Sequence, residues 1–152
     1  MTAIYVDADA CPVKNEVYKA AAKYGLAVFV VGNAYMRVPA SDRIQFILVD
    51  KGLDVADDWI AEHAGSEDIV ITSDIPLADR VIKSGARVLN SRGAELTPDS
   101  IGEKLAARNL NEHLRMMGIV GGGPAPLGQK DRSQFSSKLH QVIQSILRPS
   151  GK

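Results

Sequence analysis

The chain has 152 residues, 45% of them hydrophobic and 24% charged, and its 18 Lys/Arg balance 18 Asp/Glu to give no net charge at pH 7. That composition excludes a disordered or fibrous chain and fits one globular domain spanning 1–152 with a core of its own. No apolar run approaches the roughly 20 residues of a bilayer span, and neither a signal-type stretch nor a second cysteine beside Cys11 occurs, so a cytoplasmic, reducing location without a membrane partner is expected.

The first apolar run, Ile4-Tyr5-Val6, carries the β-branched and aromatic residues of a buried strand. It ends in two carboxylates, Asp7 and Asp9, and Pro12 then suits the first turn of a helix. Val13 to Tyr24 reads as that helix, with Val17, Ala20, Ala21 and Tyr24 on one face and Gly25 closing it. Leu26 to Val31 is continuously apolar, the mark of a strand buried on both faces. Beyond Gly32-Asn33 comes a polar stretch with Arg37 and Arg43, then a third strand from Ile44 to Val49. Asp54 to His63 is a second helix, and Asp68 to Thr72 a fourth strand running into Ser73-Asp74. Pro76 opens a third helix that Gly85 closes, and Ala86 to Leu89 is the fifth strand, ending at Asn90 with Arg92 beyond. Thr97-Pro98-Asp99 is a helix start signal for periodicity running from Ile101 to about Met117. A Gly/Pro-rich loop is expected over 118–130 and a C-terminal amphipathic helix over 133–147.

Strands that alternate with helices and read as solid apolar runs predict a three-layer α/β/α fold. The expected sheet is five-stranded and mainly parallel, in the order 3-2-1-4-5. Ligands bind at the C-terminal strand edge of such a sheet, where the strand order reverses. Here that edge carries Asp7 and Asp9, Asn33, Asp50, Asp74, and Asn90 with Arg92. Asp7, Asp9 and Asp74 belong to neighbouring strands, and three carboxylates so close repel one another unless a cation or proton intervenes. A hard divalent cation such as Mg²⁺ is the natural partner for such oxygen ligands. Each acid also has a plainer role as a helix cap or as a favourable charge at a helix N-terminus. For Asp58 and Asp79 that plainer role is preferred, while Asp57 stands between the two. The three histidines have no zinc-ligand spacing, and no phosphate-loop or nucleophile-elbow pattern is present.

Charge is unevenly placed, with balances of −5 over residues 1–100 and +5 over residues 101–152. An acidic body beside a basic C-terminal third suits a metal centre flanked by a phosphate-binding surface, although a solvated basic helix face has the same composition. Arg37, Arg92 and Arg132 are the candidate phosphate contacts, with Arg43 and Lys130 nearby in sequence.

Val6-Asp7-Ala8-Asp9-Ala10-Cys11-Pro12, Gly52-Leu53-Asp54-Val55-Ala56-Asp57, Ile71-Thr72-Ser73-Asp74-Ile75-Pro76-Leu77-Ala78 and Gly122-Gly123-Pro124 resemble the motifs of the YaiI/YqxD family. That family is similar in turn to the PIN-like nuclease superfamily, whose acids at the ends of the first and fourth strands bind Mg²⁺ or Mn²⁺. The resemblance implies Asp7 and Asp74 as core metal ligands, with Asp9 in support and Asp57 as a further candidate. The expected activity is metal-dependent hydrolysis of RNA or single-stranded DNA, with Asp7, Asp9 and Asp74 as the catalytic acids. A phosphatase of the haloacid dehalogenase type is an alternative, but Ala10 departs from its motif and no downstream lysine motif follows. A Toprim-like module lacks its early glutamate. A non-catalytic, metal-containing RNA- or protein-binding module is the remaining alternative.

Overall fold

The computed structural model describes residues 2–8, 13–52, 55–102 and 128–147. In chain order they form β1 (Ala3–Asp7), α1 (Lys14–Tyr24), β2 (Ala27–Gly32), β3 (Ile44–Leu48), α2 (Val55–His63), β4 (Ile69–Ile71), α3 (Ile75–Lys83), β5 (Arg87–Leu89) and β6 (Glu95–Leu96). A helical stretch over 98–102 (α4) follows, and the last element is α5 (Gln129–Leu147).

The six strands lie in the order β3-β2-β1-β4-β5-β6. The first five are parallel, as their apolar runs imply, and β6 is antiparallel to β5. The expected order 3-2-1-4-5 therefore holds, and the sheet is one strand wider than expected. Glu95-Leu96 is too short to leave a periodic signal. It is held instead by the turn before it and by ion pairs of Glu95, close with Arg87 and looser, at 3.9 Å, with Lys138 of α5. Asn90 Oδ1 accepts from the Arg92 and Ala94 N–H groups, both at 3.0 Å, and Gly93 takes a φ of 89° that other residues rarely adopt. Across the strands, Arg87 Nε and Nη2 donate to the two carboxylate oxygens of Glu95 at 2.7 and 2.8 Å. That two-point contact is the strong form of an ion pair, and it raises the Arg87 pKa above its ordinary value.

Side chains alternate across a strand, so β1 serves both faces of the sheet. Ile4 and Val6 pack with Val17 of α1 and with Phe135 and Leu139 of α5. Ala3 and Tyr5 pack on the other side with Ile60 of α2 and with Leu77 and Val81 of α3. These two clusters are the outer interfaces of three layers, and both are centred on β1 and β4.

The helix ends follow local rules. Gly25, at φ 69°, ends α1 in the left-handed conformation and returns its N–H to the Ala21 carbonyl. Asp74 caps α3, with Pro76 in the first turn. The last helix begins at Gln129, four residues before the expected start at Ser133. Gly128 N–H donates to Asp131 Oδ2 at 3.1 Å, while Arg132 N–H returns to the Gly128 carbonyl at 3.1 Å. A carboxylate in the first turn thus satisfies the helix's entering N–H, one half of a capping box. Residues 118–127 of the expected loop, and the expected helix beyond residue 102, lie outside the described residues.

Candidate functional site

Five parallel strands bring their C-terminal ends to one edge, and β1 and β4 are neighbours there. The register pairs Asp7 with Val31 and Val6 with Ile71. Asp7 has the parity of Ala3 and Tyr5, which places it on the α2/α3 face. Asn33 lies two residues beyond Val31, also on the α2/α3 side and one strand over. Asp74 lies just beyond β4, and Asp57 occupies the first turn of α2. Asp7, Asn33, Asp57 and Asp74 line a single cleft of about 230 Å³, closed by Gly52, Val55 and Ala56.

Two of these acids are held by one buried hydroxyl. Thr72 Oγ1 accepts the Asp74 backbone N–H at 3.0 Å and donates to Asp7 Oδ2 at 3.1 Å. Accepting from one side leaves the hydroxyl proton for the other, so the bond to Asp7 has a defined direction. Thr72 is 1% exposed and Asp7 8%. Asp74 Oδ1 in turn accepts the Leu77 N–H at 3.0 Å, the N-cap bond of α3. Asp74 therefore fills the structural role of a cap while it lines the cleft. Asp57 is half-buried in the cleft wall, near the partial positive charge of its helix N-terminus.

The other expected site residues fall elsewhere. Asp9, Cys11 and Asp54 lie outside the described residues. Arg37 is exposed on the segment between β2 and β3. Arg92 Nη1 donates to Asp131 at 2.9 Å and Arg132 Nη1 to Glu16 at 3.2 Å, so both arginines bind the first turns of α5 to the rest of the fold. None of the three is among the described residues lining the cleft. Asp58 and Asp79 form surface ion pairs, with Arg80 at 2.7 Å and Lys83 at 3.0 Å. Among the described residues, no three His, Cys, Asp or Glu side chains come close enough together to form a metal-ligand cluster. Nor is any helix of the described residues long and apolar enough to cross a membrane.

Residues 5–145, which include every lining residue of the cleft, match the family model described as "Uncharacterized BCR, YaiI/YqxD family". The chain belongs to the YaiI/YqxD family. It is similar to the UPF0178 protein of Caulobacter sp. (strain K31), with 55% identity over 143 residues that cover 94% of this chain and 95% of the relative. The UPF0178 protein of Rhodopseudomonas palustris (strain BisB18) is 54% identical over 147 residues, covering 97% and 95%. No solved structure matches the chain.

Two polar residues of this YaiI/YqxD chain stand at the cleft without being among the site residues that the sequence singles out. Thr72 stands within the motif Ile71-Thr72-Ser73-Asp74, but a threonine ending a strand reads as strand propensity. Asn33 is legible as a polar strand end. That it shares a cleft with Asp7 and Asp74 depends on the register of β1 on β2.

Proposed function

We propose that this YaiI/YqxD chain is a metal-dependent nuclease that hydrolyses phosphodiester bonds of RNA or single-stranded DNA. Asp7 and Asp74 would hold Mg²⁺ or Mn²⁺, with Asp9 and Asp57 in support. The observation that carries this reading is the meeting of Asp7, Asp57 and Asp74 in one cleft at the C-terminal strand edge. The likeness of the strand-end acids to those of PIN-like nucleases points the same way.

The donor set suits a hard cation, because every charged group lining the described part of the cleft is a carboxylate. Mg²⁺ commonly takes only one or two carboxylates and keeps several waters, so a preformed cluster of three acids is not a requirement. When bound, such an ion supplies an activated water and offsets the charge that develops on the phosphate. The chain's own residues supply orientation. Thr72 fixes one oxygen of Asp7 and the Leu77 N–H fixes one oxygen of Asp74, so neither acid has to be ordered as substrate arrives.

A non-catalytic binding module is favoured by one observation, the use of an Asp74 oxygen in the α3 cap. The deciding experiment incubates the protein with labelled single-stranded RNA and DNA, with and without Mn²⁺, and runs Asp7→Asn in parallel. Metal-dependent cleavage that disappears in the variant is the expected result. Clear Mn²⁺ binding without cleavage would defeat the nuclease reading in favour of a binding role or a small phosphorylated substrate.

A further inference from the structure

Among the described residues lining the cleft, the side chains offer many acceptors and few donors. Asp7, Asp57 and Asp74 contribute carboxylate oxygens, while Gly52, Val55 and Ala56 contribute no polar side-chain atom. A phosphodiester also presents acceptors only, so beside these carboxylates it gains from every N–H donor within reach, those of the first turn of α2 included. Asn33 is the exception among the described lining residues, because its amide carries two N–H donors without adding charge. It is half-buried, stands one strand from Asp7 on the α2/α3 side of the sheet, and its amide has no hydrogen-bond partner among the described residues. The end of β2 beneath it is firmly placed. Val49 N–H donates to the Gly32 carbonyl at 3.0 Å, and a Cβ at Gly32 would stand 3.1 Å from that of Ala8.

We propose that Asn33 contacts the substrate, its side-chain amide donating to a non-bridging oxygen of the phosphodiester held beside Asp7 and Asp74. This rests on the nuclease reading and adds to it the group that recognises the phosphate apart from the cation. A donor aimed at an oxygen whose charge grows in the transition state raises kcat more than it tightens ground-state binding.

The test compares wild type, Asn33→Ala and Asn33→Ser in three measurements: Mn²⁺ affinity by calorimetry, thermal melting, and single-turnover cleavage of a labelled single-stranded oligonucleotide. Asn33→Ala should leave Mn²⁺ affinity and melting unchanged and slow cleavage by about 10²-fold, the lower range for loss of one such donor. Asn33→Ser keeps a hydroxyl donor and should recover part of the rate. Unchanged cleavage in Asn33→Ala, with wild type active, overturns the role of Asn33 and leaves the nuclease reading standing. A rate loss that follows a loss of Mn²⁺ affinity or of melting temperature overturns it as well. If wild type cleaves nothing, anisotropy with the same oligonucleotide and Mn²⁺ decides the matter. Weaker binding by Asn33→Ala then keeps the phosphate contact while the nuclease reading falls, and equal or absent binding removes both.

Discussion

Thr72 shows how one side chain can organise a site without lining it. Its hydroxyl is spent twice, once on the Asp74 N–H and once on Asp7, and it is buried. Thr72→Val keeps the shape and removes a buried hydrogen bond from each partner, so it should destabilise the fold by about 1–3 kcal/mol, read from the urea midpoint. Thr72→Ser, which keeps the hydroxyl, should remain near wild type; equal loss in both variants would mean that the methyl matters and the hydroxyl does not. Asp74 permits a cleaner separation of roles. Asparagine caps helices as well as aspartate does, so Asp74→Asn should melt like wild type while binding Mn²⁺ more weakly, whereas Asp74→Ala should also lose about 1 kcal/mol of stability. Unchanged Mn²⁺ affinity in Asp74→Asn would remove Asp74 from the metal site.

At the scale of elements, the position of α5 depends on the turn between β5 and β6. A Cβ on Gly93 would lie 2.8 Å from Gln134 C, Gln134 O and Phe135 N, all backbone atoms of the helix. Gly93→Ala should therefore cost about 1–3 kcal/mol through overpacking, with strain from the positive φ in addition, and thermal melting would measure it. A melt within error of wild type would show that α5 can move outward freely. Asp131 ties the same helix start by two routes. The Gly128 N–H first, and the Arg92 guanidinium after it, hold its carboxyl below the ordinary aspartate value of 3.8. A depressed folded-state pKa contributes stability that is complete above the unfolded value and is lost as pH falls through the folded one. Asp131→Asn should therefore melt below wild type at pH 7 and at pH 5, and the gap should narrow as pH falls below 3.8. A gap independent of pH would assign the effect to the amide's geometry.

At the scale of the whole molecule, the sheet order decides what can meet. The order β3-β2-β1-β4-β5-β6 makes β1 and β4 central neighbours, so acids 67 residues apart in the chain share one cleft. If that cleft holds Mn²⁺ as proposed, a ligand that binds only the folded state must stabilise the whole fold. Mn²⁺ at about 100 times its dissociation constant should add about 2.7 kcal/mol, a rise in Tm of roughly 5–10 °C that a chelator reverses. The same addition to Asp7→Asn should give a much smaller rise; equal shifts would place the ion elsewhere.

What the sequence determined by itself was the fold's frame. Solid apolar runs at Ile4–Val6, Leu26–Val31 and Ile69–Ile71 read as strands buried on both faces, and their alternation with helices predicts a parallel sheet, for which 3-2-1-4-5 is the expected order. The acids at the strand ends were legible for the same reason, because polar residues that end buried strands lie on one edge. Three things needed the tertiary structure. The strand Glu95–Leu96 exists through its pairing on β5 and its ion pair with Arg87 rather than a pattern of its own, whereas the early start of α5, where Asp131 reaches back three residues to Gly128, is a local signal that apolar periodicity does not register. The link from Asp74 through Thr72 to Asp7, and the place of Asn33 beside them, come from strand register, which pairs residues tens of positions apart and leaves no local trace in the chain.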